Sequence, residues 1–378
     1  MSPKIIRPFH LDITPKDRDY LHGALDDILD SGTLILGKYT DEFEKAFAAY
    51  VGTKYAVSLN SATSALEIQL RLADVVDRKV AVPTNTNFAT VAAIIHAGGK
   101  PVFLDMDAST FMPTPAMLEG AHRIHPDLAG FVCVHIGGVI APDMLEIVEY
   151  CGRAGLFLIE DCAHAHGSVL QRKHAGTFGV SGAFSFFPTK VMTTMEGGMI
   201  VSDDEEYATA VRSYRNQGKR AGNYNALHVD LGNSWRMSEF AAAFGLSQLK
   251  KLDAMLDRRA SIAKVYVDCF ESAGIAYVST GHMDRCSNYK VIAVSPSTDV
   301  DIKSELAKDD IFLGGAVYDV PCHRQPVFSA LSKQNAPCPI SEQMCPRQFC
   351  LPITSSMDVN DAHRVANAVK RVLQRSPS

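Results

Sequence analysis

The chain has 378 residues, 47% hydrophobic and 21% charged, with a mean hydropathy of +0.00, the profile of a globular protein long enough for two lobes. A net charge of −5, a pI near 6.2 and no block of like charges give no sign of a nucleic-acid surface, so an anionic substrate needs a local basic site. The start, MSPKIIRPFHLDIT, lacks the apolar core of a signal peptide, and no later run approaches the ~20 apolar residues of a membrane span, so the expected setting is the cytoplasm without membrane contact. Nine cysteines are scattered without a C-x-x-C pair. Cys338, Cys345 and Cys350 form a loose cluster, read as reduced structural thiols in preference to a disulfide or a metal site.

A polar arm leads to a helix over residues 15–29, a Ser31-Gly32 break and a second helix over 40–50, with Thr40 or Asp41 as its cap. A strand over 55–59 meets Asn60-Ser61-Ala62-Thr63, after which 64–72 reads as a helix. Strand, small polar turn and helix N-terminus make an anion site, because unpaired N–H groups and the helix dipole point at it; taken alone, the same turn is an ordinary cap. The unit VAVPTNTNFATVAAIIHAGGKPVFLDMD reads as a βαβ crossover. A strand over 131–135, the pair Gly137-Gly138 and a helix near 142–154 return the chain to a strand over 156–159. His135 reads as a core histidine or as part of a cleft floor. The alternation predicts an α/β fold with a doubly wound, mostly parallel sheet.

Two strands then end in charges. The run 156–159 delivers Glu160 and Asp161, and the run 183–187 leads to Lys190. Ligands of open α/β sheets bind outside the carboxyl ends of the strands, so Asp161 and Lys190 are expected to face one cleft. Lys190 sits among apolar and small residues, where burial favours the neutral, nucleophilic amine. An amine, a carboxylate and the hydroxyl of Ser185 suit pyridoxal phosphate, which needs an amine for its aldehyde, an acidic partner for its pyridine nitrogen and donors for its phosphate. His164 and His166 form an H-x-H pair that could also hold a metal.

A strand over 199–202 and a helix over 205–214 follow, then a long loop, RNQGKRAGNYNALHVDLGNSWRMSE, whose length and basic residues mark it as functional. Lys219, Arg220 and Arg236 are its candidates for an anionic substrate. Ser238 caps one long helix through FAAAFGLSQLKKLDAMLDRRASIAKVYVDCF, and the lobe boundary is placed near residue 255, giving a large domain with its arm over 1–255 and a small one over 256–378. The small lobe is read as α+β, with strands over 276–278 and 289–294 and helices over 302–308 and 359–373.

The pieces D-x-A-H (Asp161 to His164), F-S-F-x-x-x-K (Phe184 to Lys190) and E-G-G (Glu196 to Gly198) resemble, in this order, the DegT/DnrJ/EryC1/StrS family of sugar aminotransferases. The resemblance runs from about Gly37 to Leu373 and implies the aspartate aminotransferase-like fold type I of pyridoxal phosphate enzymes, as a homodimer with active sites at the subunit interface. It implies Lys190 and Asp161 as catalytic residues, and Ser61, Ala62, Thr63 and Ser185 around the cofactor phosphate, with Ala62 where glycine is usual. His164 takes the place of a residue supporting the pyridine ring rather than a metal. The aromatic ring expected over the pyridine is replaced by Asn87, with Phe88 next in line: either Asn87 covers the ring or the loop shifts so that Phe88 does, and the preferred reading of Phe88 is a core side chain. Ser234 replaces an asparagine that reaches the neighbouring subunit's phosphate, and Arg236, Tyr318 and His323 fall at substrate-side positions. The implied reaction moves an amino group from L-glutamate to a keto sugar, nucleotide-linked by preference. A cyclitol or other keto substrate, a sugar dehydratase of the same family and a non-catalytic cofactor-binding regulator are the alternatives. Lys190 opposes the dehydratase, which carries histidine there.

Overall fold

The computed structural model describes residues 4–220, 227–332 and 336–374. Seven strands form the large sheet: β1 (Tyr55–Leu59), β2 (Lys79–Pro83), β3 (Lys100–Leu104), β4 (Leu128–Val134), β5 (Phe157–Asp161), then, after the short hairpin β6 (Val169–Leu170) and β7 (Lys173–His174), β8 (Ser181–Ser185) and β9 (Gly198–Ser202). Their order is β1-β9-β8-β5-β4-β2-β3. Only β9 runs against its neighbours; every other pairing in the sheet is parallel. The strands are buried on both sides, as a covered parallel sheet requires. Phe131 and Cys133 of β4 enter one core and Val132 the other, and the same alternation places Phe184 opposite Ala183 in β8. Two apolar cores therefore cover the two faces, which is the doubly wound arrangement expected from the sequence.

A third core belongs to the smaller lobe. There β10 (Val291–Val294) pairs antiparallel with β11 (Gln348–Leu351), backed by the helices Leu252–Ala273 and Val359–Gln374. The strand expected over 276–278 reduces to a single bridge, Tyr277 to Ala293, and 289–294 shortens to β10. Ile6 is buried in this core and bridges Ile311, so the start of the chain is anchored on the small lobe.

The single helix expected after Ser238 is two, Glu239–Leu249 and Leu252–Ala273. No glycine or proline marks the break, and the apolar spacing runs across it. The interruption is tertiary: Lys251 Nζ reaches Asp12 O at 2.6 Å and Asp17 Oδ2 at 2.7 Å. Leu252 and Leu256 lie in the first core, Ile262 and Phe270 in the third, so this second helix passes from lobe to lobe. Glu239 has a role the sequence did not disclose: its carboxylate accepts the N–H groups of Gly37, Tyr39 and Thr40 and caps the helix Lys38–Val51 from a distant part of the chain. Cys338, Cys345 and Cys350 are buried free thiols.

Behind β1 lies a buried ion pair. Glu44 accepts the Ser58 N–H and hydroxyl, each at 2.9 Å, and pairs with Arg215, which also donates to Ser58 O. Breaking a buried pair strands the remaining charge. Arg215→Met is expected to lower the unfolding free energy in urea by about 3–5 kcal/mol; a loss below about 1 kcal/mol, the worth of an exposed pair, would contradict this.

Candidate active site

The carboxyl ends of β1, β2, β4, β5 and β8 share one edge, and β9, running the other way, starts there. Register confirms the convergence: Leu59 and Ser185 both pair with Gly198, while Asp161 pairs with Val134 and Ala183. A cavity of about 270 Å³ opens at this edge. Asp161, Lys190, Ser185, His164, Asn87 and the turn Ser61-Ala62-Thr63 line it, so most residues singled out from the sequence meet in one place.

Asp161 ends β5 and is buried. Its Oδ2 accepts the Thr90 hydroxyl at 2.8 Å and its Oδ1 the Ala163 N–H at 3.0 Å. Because Thr90 spends its hydrogen on Asp161, the 2.9 Å contact between Thr86 and Thr90 has Thr86 as donor. An ionised carboxylate accepts about four hydrogen bonds, so Asp161 keeps capacity for a donor in the cavity. Glu160 has none to spare: it takes His135 Nε2 and the N–H groups of Gly176, Phe178 and Gly179. Among the described residues, the one cluster with metal-like spacing is His135, Glu160 and Cys162, and these hydrogen bonds already saturate its carboxylate.

Lys190 is half-buried on the loop after β8, with Nζ 5.0 Å from the centre of the Tyr289 ring. Desolvation pulls its ammonium down to about 8; Asp161 opposes the shift and Lys290 adds to it. His164 Nδ1 accepts the Gly137 N–H at 3.2 Å, and its ring stacks on Tyr289 at 4.2 Å and 24°. Burial, with Lys190 nearby, holds His164 well below the usual histidine range, so it is neutral. His166 packs against Phe184 and Phe186, and burial pushes it down to about 3.

Ser61 caps the helix Ala62–Leu72 by accepting the Ser64 N–H, which leaves the Ala62 and Thr63 N–H groups without an intrahelical acceptor. A Cβ on Gly198 would stand 2.3 Å from the Ser61 backbone, so glycine is required for β9 to pass this turn. Ser185 Oγ accepts from the Phe187 N–H at 3.4 Å and keeps its own hydrogen for another acceptor. Together these donors form an anion cradle at one end of the cavity, with Asp161 and Lys190 along it.

Other expected residues lie elsewhere. Between Asn87 and Phe88 the cavity takes Asn87, which caps the helix Phe88–His96 and hydrogen-bonds Tyr318; Phe88 is 52% exposed and stacks outside on Phe328 at 5.5 Å. Tyr318 lines the cavity. His323 does not: Thr84 Oγ1 at 2.6 Å and Glu342 Oε1 at 2.9 Å hold it beneath the β2 loop. Ser234 is exposed and accepts from Arg236, whose other contact is Asn216 Oδ1, and neither lines the cavity. Arg220 pairs with Asp230, and Lys219 likewise does not line it; residues 221–226 of the same loop lie outside the described residues. Thr90, Arg259, Tyr289 and Lys290 were missed, since no local pattern separates them from ordinary helix and strand residues.

The family model described as the DegT/DnrJ/EryC1/StrS aminotransferase family matches residues 15–370. The spore coat polysaccharide biosynthesis protein SpsC of Bacillus subtilis is 33% identical over 92% of each chain. GDP-perosamine synthase of Escherichia coli O157:H7 is 31% identical over 94% of each. Among solved structures, Helicobacter pylori PseC, an aminotransferase involved in the biosynthesis of pseudoaminic acid, superposes with a TM-score of 0.90 at 25% identity, covering 99% of this chain and 100% of that one. The chain belongs to the DegT/DnrJ/EryC1/StrS aminotransferase family.

Proposed function

We propose that the protein is a pyridoxal phosphate-dependent aminotransferase that passes an amino group, drawn from L-glutamate, to a keto sugar carried on a nucleotide, as a step in amino-sugar biosynthesis. The observation that carries this reading is one cavity holding a depressed lysine, a buried carboxylate and an anion cradle in a chain of this family. Relatives named for perosamine synthesis and for spore coat polysaccharide support the sugar acceptor.

The residues present fit the cofactor. The Ala62 and Thr63 N–H groups and the Ser185 hydroxyl would hold its phosphate, with Gly198 keeping that end open. Asp161 would accept from the ring nitrogen, and Asn87 and His164 flank the space between. Once bound, the cofactor supplies an aldehyde that exchanges amino groups and a protonated ring that withdraws electrons. Thr90 and Ala163 keep the Asp161 carboxylate oriented. Lys190 Nζ, partly neutral near pH 7, is the amine that would hold the aldehyde, and when free it would take the proton from the donor's α-carbon. In the second half it returns a proton to the former carbonyl carbon of the sugar.

The working form is a homodimer in the cytoplasm, with each site completed by its partner. Support comes from apolar side chains left in water, Leu34 at 57% and Leu231 at 83% exposure, and from exposed Ser234.

The purified protein should show a yellow absorption band that bleaches on adding L-glutamate; absence of a band even after adding pyridoxal phosphate would remove the enzyme reading. Lys190→Ala should abolish turnover, and Asp161→Asn should retain cofactor while slowing turnover about 10²–10³-fold; unchanged kinetics in either would remove that residue from the mechanism. Uptake of pyridoxal phosphate by cofactor-free protein should quicken about tenfold from pH 7 to 9 and level off above about 8, following neutral Lys190. An unshifted lysine would instead give about a hundredfold rise with no plateau.

A further inference from the structure

A second cavity of about 380 Å³ adjoins the first and shares Lys190, Asn87, His164 and Tyr318 with it. Its additional walls carry Arg259, Tyr289 and Lys290. Two ammonium groups attend the Tyr289 ring, Lys190 Nζ at 5.0 Å and Lys290 Nζ at 5.5 Å from its centre. Arg259 is near enough to act electrostatically on the same phenol.

Arg259 and Lys290 thus face one space beside Lys190, whose own amine the cofactor would engage. Among the described residues none of them is ion-paired with a carboxylate. Arg259 Nη1 donates to Asn288 O at 3.0 Å and Lys290 Nζ to Gly315 O at 3.4 Å, both neutral acceptors. Arg259 is desolvated enough for burial to pull it down to about 10, yet four of its five N–H groups have no protein acceptor among the described residues. Gathering like charges in a partly dry cavity is costly unless an anion enters.

We infer that Arg259, with Lys290 beside it, binds the carboxylates of the amino donor, a small dicarboxylic amino acid. The inference rests on the aminotransferase reading and deepens it. Its geometry decides between two anions. A donor's α-carboxylate is bonded to the very carbon that loses its proton to Lys190, so its site must adjoin that amine. The diphosphate of a nucleotide sugar is held away from the keto carbon by the sugar ring, and needs a site farther off. Arg259 offers a planar fork that matches a carboxylate, and Lys290 a point charge for a second one.

Calorimetric titration of the holoenzyme with glutarate, which has both carboxylates and no amine, tests this, with inorganic pyrophosphate as the rival probe. Glutarate should bind the wild type. Its Kd should rise at least tenfold in Arg259→Gln, the range a charge-assisted hydrogen bond carries, and less in Arg259→Lys. Pyrophosphate binding should be unaffected. No glutarate binding in the wild type, an unchanged glutarate Kd in Arg259→Gln, or loss of pyrophosphate binding with glutarate retained would each overturn the inference. Should Arg259→Gln fail to fold, Arg259→Lys and Lys290→Gln decide, and unweakened glutarate binding in both overturns it. If L-glutamate bleaches the wild-type band while glutarate ignores Arg259, this inference alone falls; if the band does not bleach, the reaction beneath it falls as well.

Discussion

A carboxylate and an amine have been drawn out of water into one cavity, and the rest of the molecule is arranged to make that tolerable. Desolvation penalises both charged forms. Asp161 is held by two donors, the Thr90 hydroxyl from the helix Phe88–His96 and the Ala163 N–H just past its own strand. Among the described residues Lys190 Nζ has no such hydrogen-bond partner, so burial outweighs the pull of Asp161 and its amine is lowered to about 8. An anion with acceptor capacity to spare and an amine that is partly neutral near pH 7 are the two states the proposed chemistry needs.

The sheet supplies both groups for a topological reason. Parallel strands bring their carboxyl ends to one edge, and the single reversed strand, β9, brings Gly198 back to that edge against Ser61 and Ser185. Pleating then separates two adjacent carboxylates. Glu160 turns into the protein, where three backbone N–H groups and His135 consume it, while its neighbour Asp161 lines the cavity. One residue of register separates a carboxylate consumed inside the protein from one that lines the cavity.

That division explains what could be seen in the sequence. Asp161, Ser185 and Lys190 were legible because each follows a short apolar run and the strand ends in an α/β sheet are where ligands sit. The turn Ser61 to Thr63 was legible for the same reason. The helix break at Lys250 and Lys251 was not, because it answers to Asp12 and Asp17 more than two hundred residues away rather than to any local breaker. His323 looked like a substrate contact, yet Thr84 and Glu342 take both its nitrogens. Phe88 reads as a ring cover or, in preference, as a core side chain; as the first residue of a helix capped by Asn87 it is half-exposed outside the cavity, which Asn87 lines. Arg259 lies on a long helix whose pattern shows only which face is apolar, and only folding brings it beside Lys190.

The pair Gly137-Gly138, which follows the strand β4, joins the two walls of the cavity. Gly138 has φ of +96°, and a Cβ there would lie 1.9 Å from Ser287 Oγ, so both its backbone and its neighbour demand glycine. Through that gap Ser287 Oγ donates to His164 O at 2.6 Å, and Ser168 Oγ ties Gly138 O to the Ser287 N–H. Lys290 N–H is held by Gly137 O at 3.1 Å. Tyr289, between these fastened residues, therefore stacks on His164 and meets the amine of Lys190 in a fixed place. The large sheet positions the acid and the amine; the glycine pair sets the distance at which the second wall, with its extra cations, faces them.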